Sequence, residues 1–275
     1  MRSRVFKRSL GAILLLLATT LSGWFYLSWG REHPQWAYPS GWLLMAVMLF
    51  LTFYNARKKL PFLNLLSSRV WLQLHIYLGF FSVIAFLFHV CFRWPSGWFE
   101  VVLTWLFAIV AISGFVGLVL SRDFPKRLTA RGGEVLYERI PLVRRRLHDE
   151  AEALALGSVE SARSSTVADF YAATLHSYFI GHRHFLLHCL AREGPLTRLL
   201  GKISEQDRYL NDEERQVMAS LRELVIQKNG LDYQYALQTA LRLWLFFHIP
   251  FTYSLILWSI AHVLLVHGFA AGAGR

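Results

Sequence analysis

Apolar residues along the chain are gathered into five long runs, each about as long as a helix that crosses a lipid bilayer. Polar and basic segments separate the runs. This pattern predicts membrane-spanning helices at about 10–29, 38–54, 70–92, 100–120 and 243–269. The first run starts like a signal peptide, but it continues through Trp24, Phe25 and Tyr26 without a convincing cleavage site. We therefore expect an uncleaved helix there.

A stretch of ordinary polar composition lies between the fourth and fifth runs. Its apolar residues recur at three- and four-residue spacing, which predicts amphipathic helices over about 142–156, 167–191 and 212–228. We therefore predict an all-α fold, a polytopic membrane bundle with a helical cytoplasmic insert. The predicted parts are residues 1–121 with four spans, the insert at 122–242, and residues 243–275 with the fifth span and a short outer tail.

Basic residues indicate the orientation of these helices. Lysine and arginine concentrate before the first run, after the second and after the fourth, whereas the opposite loops contain only Arg31 and Arg93. Because basic loops stay in the cytoplasm, we expect a cytoplasmic N-terminus and a periplasmic C-terminus, in a bacterial inner membrane. The third and fifth helices would then run in the same direction, from inside to outside.

Composition narrows the classes of function. The two cysteines, Cys91 and Cys189, are too few for a disulfide framework, a cysteine-ligated zinc site or an iron–sulfur cluster. The sequence contains no glycine-rich nucleotide fingerprint, no phosphate-binding loop and no CxxCH motif for c-type haem. The net charge is +11, which in a membrane protein marks cytoplasmic loops beside lipid rather than a nucleic-acid surface.

Four histidines interrupt the third and fifth runs, and their spacing is the main functional signal. His75 and His89 stand fourteen positions apart, as do His248 and His262. Fourteen residues of helix leave two side chains within about 40° of one face and about 21 Å apart along the axis. On parallel helices, His75 can face His248 near the inner side and His89 can face His262 near the outer side. Each facing pair has the ligand arrangement of a bis-histidine haem iron, so we predict two b-type haems.

Intramembrane histidines are also used in zinc sites and proton relays. A zinc site or a proton relay does not need two sites at different depths of the bilayer. Two haems in series need one site near each leaflet.

Three arginines lie close to the predicted ligands. Arg69 and Arg242 each precede an inner histidine by six residues, and Arg93 follows His89. They are expected either to pair with haem propionates or to anchor the helices at the membrane interface.

Glycines mark faces where a helix can be approached closely. Gly79 lies one turn after His75, and Gly114 and Gly117 form a small-residue face on the fourth run. Such glycines admit either a flat macrocycle or a neighbouring helix.

Two parallel helices that each carry H-x13-H resemble the four-histidine core of the cytochrome b superfamily. The resemblance rests on His75, His89, His248 and His262 and covers the membrane part, about half of the chain. It implies electron transfer between leaflets, with a quinone as a further cofactor. The implied partners are other redox subunits: an iron–sulfur protein, a flavoprotein or a c-type cytochrome. The chain differs in having one crossing and about 120 inserted residues between its ligand helices, and it lacks the PEWY quinone motif. Quinone chemistry is therefore an analogy with the family.

Two other functions stay open. The membrane domain of ferric reductases and NADPH oxidases also places two ligand pairs on its third and fifth spans, and here a separate cytoplasmic flavoprotein would supply the electrons. A haem-free transporter or anchor whose histidines carry protons belongs to another class of function.

Further histidines lie outside the two H-x13-H pairs. The insert contains His176, His182, His184 and His188, and the last two are spaced to share a metal on one helix, although a third ligand is not evident. A solvated or partner-contacting helix face is the other interpretation. His267 follows His262 by five residues, so we expect it to face about 140° away from the ligand face.

Overall fold

A computed structural model describes the backbone of residues 2–59, 67–130, 135–162 and 164–272. Within these ranges, the side chains at 2–10, 34, 55–59, 69, 161–162 and 270–272 lie outside the description. The described residues contain helices, turns and loops but no β-strand, so the predicted all-α fold is confirmed.

Ten α-helices cover most of the described chain. They are α1 (Arg2–Phe25), α2 (Ala37–Lys59), α3 (Ser68–His89), α4 (Trp98–Ala130), α5 (Ile140–Ala162), α6 (Thr166–Phe170), α7 (His176–Ile180), α8 (Phe185–Cys189), α9 (Gly194–Gln206) and α10 (Asp212–Gly272). Short π-helical turns follow α1 at Tyr26–Gly30 and α6 at Tyr171–Leu175.

Five of these helices, α1 to α4 and α10, are long and apolar enough to cross a membrane, as the sequence predicts. The chain is therefore a multi-pass membrane protein. Many large apolar side chains on these helices are exposed, for example Ile112 at 65% and Leu257 at 68%. Such exposure is unfavourable in water and is expected of helices that face lipid.

The compact unit formed by residues 1–118 and 244–275 has an apolar core to which several spans contribute. Its buried residues are Leu44, Met45, Val47 and Met48 of α2, Phe81 and Ala85 of α3, Phe107 of α4, and Leu255 and Ile256 of α10.

The ends of two spans differ from the sequence-based prediction. Helix α3 ends at His89 rather than at residue 92, because the chain turns through Cys91 and Phe92, both with left-handed φ angles. Helix α4 continues to Ala130 rather than ending near 120. Charged residues end a membrane span but not a helix, and the Asp123–Arg127 ion pair one turn apart supports the extension.

Residues 119–243 form a second compact unit with a core of its own. Helices α5, α9 and the first part of α10 bury an apolar face in it, including Ala151, Ile203 and Leu221. Helix α10 begins with a capping box, in which the backbone N–H of Glu214 donates to Asn211 Oδ1 and that of Asn211 donates to Glu214 Oε2.

The predicted helix over 167–191 is broken in this second unit. Helix α7 ends at Ile180, residues 181–184 are not helical, and His184 has a left-handed φ of 60° before α8 begins. The apolar spacing continues across the break, so periodicity alone did not reveal it.

A candidate metal centre among the membrane helices

His89, at the C-terminal end of α3, lies against a serine–glycine pair of α2. Its Nδ1 is 3.0 Å from Ser40 Oγ, and an added Cβ on Gly41 would lie only 3.1 Å from His89 Cε1. The serine therefore bonds one ring nitrogen, and the glycine allows the edge of the imidazole to approach the backbone of α2.

His248, on α10, lies against a second serine–glycine pair, this time on α4. Its Nδ1 is 2.7 Å from Ser113 Oγ, and an added Cβ on Gly114 would be 3.7 Å from His248 Cε1. Two of the four predicted ligands, on different helices, thus share the same local surroundings. We call Ser40-Gly41 and Ser113-Gly114 the Ser–Gly cradles.

The hydrogen bonds of the cradle serines determine the tautomer of each histidine. Ser40 Oγ donates its proton to the carbonyl of Trp36 at 2.7 Å, and Ser113 Oγ donates to the carbonyl of Val110 at 2.9 Å. A hydroxyl has one proton, so a serine that donates it to the backbone carbonyl accepts the Nδ1–H of its histidine. In a neutral imidazole the other nitrogen, Nε2, is then unprotonated and can bind a metal.

The structure brings His89 and His262 together at one cavity. Both line a cavity of about 80 Å³, and Met45, Phe86 and Phe107 also line it. An imidazole from each of two helices beside one apolar cavity is the donor set of a bis-histidine metal site.

The other two predicted ligands have aromatic neighbours. His75 lies with its ring centre 5.0 Å from that of Tyr54 of α2. The ring of His262 is nearly parallel to Phe99 of α4, at 6.2 Å. His75 contacts Tyr54 of α2, whereas His248 contacts Ser113 of α4. These contacts do not bring the two histidines together, so their pairing stays a prediction from spacing.

The three glycines have different surroundings. Gly79 has no atom within 4 Å of an added Cβ, so open space adjoins the helix one turn after His75. Gly117 packs against a neighbouring helix, because an added Cβ would overlap the ring of Trp244. That ring stacks on His248 at 5.4 Å, and its Nε1–H donates to the carbonyl of Ser113. Gly117 and Trp244 therefore hold α10 against α4 at the level of His248.

The three arginines predicted near haem propionates are placed differently. The side chain of Arg69 lies outside the described residues, and Arg93 is exposed in the turn after α3. Arg242 forms an ion pair with Glu138 at 2.6 Å and covers the ring of Tyr137. A role for any of them beside a propionate stays a prediction.

His267 also adjoins the cavity of His89 and His262, although five residues of helix separate its direction from that of His262 by about 140°. Its ring lies 5.6 Å from Tyr38 and 5.8 Å from Trp42. The sequence gives only the direction of His267 around α10. In the structure, Tyr38 and Trp42 of α2 extend the cavity as far as His267. Sequence reasoning also missed Ser40 and Ser113, for which the only signal is a serine–glycine pair inside an apolar run.

The four histidines singled out in the insert, His176, His182, His184 and His188, have separate surroundings. His184 is not on the helix that carries His188, so the one-turn spacing of these two does not place them on a common helix face. His188 is buried, and the guanidinium of Arg144 bonds to His182. The nearest rings are His148 for His176, Tyr235 for His182 and Tyr233 for His188.

No protein family, curated protein or solved structure matches the chain.

Proposed function

We propose that the protein carries electrons across the membrane through two bis-histidine b-type haems, as the membrane subunit of a quinone-linked redox complex. In this proposal His89 and His262 ligate the outer haem iron, and His75 and His248 ligate the inner one. The main support is that both Ser–Gly cradles leave Nε2 of a histidine as the metal-binding nitrogen. The cavity shared by His89 and His262 is the second support.

The residues of the chain would hold and insulate the cofactor. Ser40 and Ser113 keep Nδ1 protonated, which orients each ring and strengthens Nε2 as a ligand. Apolar side chains such as Phe107 and Leu255 exclude water and thereby influence the reduction potential. The bound haem would supply reversible one-electron chemistry.

The same hydrogen bonds argue against a proton relay. A relay needs each group to accept a proton on one side and release one on the other. Here the chain from His248 runs through Ser113 Oγ to the carbonyl of Val110, and the chain from His89 runs through Ser40 Oγ to that of Trp36. A backbone carbonyl has no proton to release, so both chains end there.

The expected setting follows from the basic loops and from the resemblance to cytochrome b. The N-terminus would be cytoplasmic and the C-terminus periplasmic in a bacterial inner membrane. The partners would be membrane lipid, a quinone and a further redox subunit: an iron–sulfur protein, a flavoprotein or a c-type cytochrome. His267, Tyr38 and Trp42 supply polar groups at the cavity of His89, where a quinone headgroup could approach.

Haem content tests the proposal directly. Protein expressed with ample haem supply should give the reduced-minus-oxidised spectrum and pyridine haemochrome of two b-type haems per chain. His89→Ala and His262→Ala should each lose the same haem, and His75→Ala and His248→Ala the other. His267→Ala is the matched control, because it removes an imidazole from the same cavity and should keep both haems. A colourless wild-type protein would refute the proposal.

The source of electrons can be tested separately. Re-reduction of the oxidised protein by a quinol would support the quinone-linked complex. Reduction by a cytoplasmic flavoprotein, without response to quinol, would instead support the outward pathway of the ferric reductases.

A further inference from the structure

A pocket in residues 119–243 is lined by basic side chains from two segments. Arg183 and His184 come from the connection between α7 and α8, and Arg198 and Lys202 come from α9. Thr174, Ser177 and Tyr178 add hydroxyl groups to its lining, and its volume is about 410 Å³. We call it the basic pocket.

The basic pocket has a strongly positive electrostatic character. Three of its side chains are cationic at neutral pH, and no carboxylate is among the described residues that line it. Burial lowers the pKa of His184, and the charges of Arg183 and Lys228 lower it further; Asp232 raises this pKa, and Arg198 has a smaller lowering effect. Like charges around one space repel one another, and a bound anion would relieve that repulsion.

One wall of the pocket is held in place by a buried ion pair on α10. Lys228 and Asp232, 0% and 2% exposed, are 2.5 Å apart, and Lys228 Nζ lies 4.2 Å from the ring centre of Tyr178. Lys228 Nζ also donates to the carbonyl of Gly181, and Asp232 Oδ2 accepts the backbone N–H of Arg183. These bonds fix both ends of the segment that presents Arg183 to the pocket. Buried polar groups thus fix the backbone that carries Arg183, while the side chains of Arg183, Arg198 and Lys202 are exposed.

The side chains within the pocket are also oriented. The guanidinium of Arg183 donates to the carbonyl of Ser177, and Nε of Arg198 donates to the carbonyl of Gly194 within α9. Arg198 and Lys202 stand one helical turn apart, so they can reach the same ligand. Arginine forks are suited to phosphate oxygens.

We propose that the basic pocket binds a phosphate group through Arg183, Arg198 and Lys202. The apolar surface of Tyr178 and Leu199 would receive the part of the ligand next to the phosphate. A small soluble phosphorylated molecule and the headgroup of an anionic phospholipid share this chemistry. The proposal does not depend on haem binding.

Binding can be measured with the full-length protein in dodecyl maltoside, an uncharged detergent without phosphate. In the first arm, inorganic phosphate is titrated and followed by calorimetry. In the second arm, phosphatidylglycerol is added to the micelles, and its retention by the protein is followed by native mass spectrometry. The wild-type protein should bind saturably in at least one arm.

Arg198→Ala and Lys202→Ala should each weaken that binding by about tenfold or more, since each removes charge-assisted hydrogen bonds. Arg222→Ala is the matched control, an exposed arginine of α10 outside the pocket, and should change affinity by less than about twofold. Circular dichroism melting would establish that the variants are folded.

The two arms distinguish the sources of the phosphate. Retention of phosphatidylglycerol that depends on Arg198 would assign the pocket to a lipid headgroup. Phosphate binding that depends on Arg198 and is unaffected by the lipid would assign it to a soluble molecule. Absence of saturable binding in both arms, or equal loss in Arg198→Ala and Arg222→Ala, would overturn the proposal.

Discussion

In each Ser–Gly cradle, the serine hydroxyl influences which ring nitrogen of the neighbouring histidine carries the proton. A serine inside a helix commonly donates its hydroxyl proton to a carbonyl three or four residues earlier. Ser40 and Ser113 both do so, and each therefore offers only lone pairs to the imidazole beside it. A Cβ at Gly41 would crowd the ring of His89, whereas a Cβ at Gly114 would make only an ordinary contact with His248.

Replacing Ser113 with alanine tests this role at the level of one atom. The change removes the acceptor for Nδ1–H of His248. The imidazole should then be less well oriented, and its Nε2 should bind a metal more weakly. Loss of such an outer hydrogen bond typically costs about 10- to 100-fold in metal affinity. We expect faster haem loss from one of the two sites, measured by transfer of haem to an apo-globin in excess.

Two further variants make that measurement specific. Ser113→Thr retains the hydroxyl and should restore haem retention. Ser82→Ala removes an equally buried hydroxyl of α3, which bonds to the carbonyl of Gly79, and should leave retention unchanged. If Ser113→Ala behaved like Ser82→Ala, the cradle would have no role in ligation.

The sequence was sufficient to propose the four histidines as metal ligands, but it did not predict which residues surround them. Spacing within one helix predicts which side chains share a face, and this is the information that H-x13-H contains. The contact of Ser40 with His89 joins positions 49 residues apart, and that of Ser113 with His248 joins positions 135 apart. Such contacts depend on how the helices pack, so no local pattern predicts them. The same reason explains why the sequence did not place His267 beside the cavity of His89 and His262.

At the scale of the elements, the length of the apolar runs predicted the five membrane helices. The position of polar residues did not predict where α3 and α4 end. Hydropathy reports the preference of a segment for lipid, whereas helix ends are decided by backbone hydrogen bonds and caps. This is why α4 continues past the charged residues that follow its span. The break at Gly181–His184 was missed for a related reason, since it depends on the tertiary bonds of Lys228 and Asp232.

The buried Lys228–Asp232 pair of α10 should be much more important for stability than an exposed pair on the same helix. Lys228→Met would leave the Asp232 carboxylate buried without its cation, which typically costs about 3–5 kcal/mol of unfolding free energy. Arg215→Met breaks the exposed Arg215–Asp212 pair and should cost no more than about 1 kcal/mol. Both values can be obtained from denaturant unfolding followed by circular dichroism.

A double variant separates the charge from the packing. Lys228→Met combined with Asp232→Leu removes both charges and should recover part of the stability lost in Lys228→Met alone. Equal losses in the single and double variants would mean that the carboxylate is not the source of the penalty.

At the scale of the whole molecule, the proposed electron path needs both histidine levels. The proposed ligands of one helix are about 21 Å apart along its axis, so each level would serve one half of the bilayer. An electron that crosses the membrane must visit both levels, whereas a site that serves only binding or packing would work with one. Loss of either level should therefore abolish transmembrane electron transfer while leaving the other haem in place.

Sealed vesicles provide the measurement. Ferricyanide is trapped inside, and a membrane-impermeant reductant is added outside to vesicles that contain the purified protein. Wild-type protein should reduce the trapped ferricyanide, and His89→Ala and His248→Ala should each reduce the rate to that of protein-free vesicles, because each interrupts a different level. His267→Ala should retain the rate, since it borders the outer cavity without serving as a ligand in the proposal. Transfer that persists in His89→Ala at the wild-type rate would contradict a pathway in series. Proton flux without electron transfer would favour the haem-free alternative, in which the same four histidines carry protons instead of ligating iron.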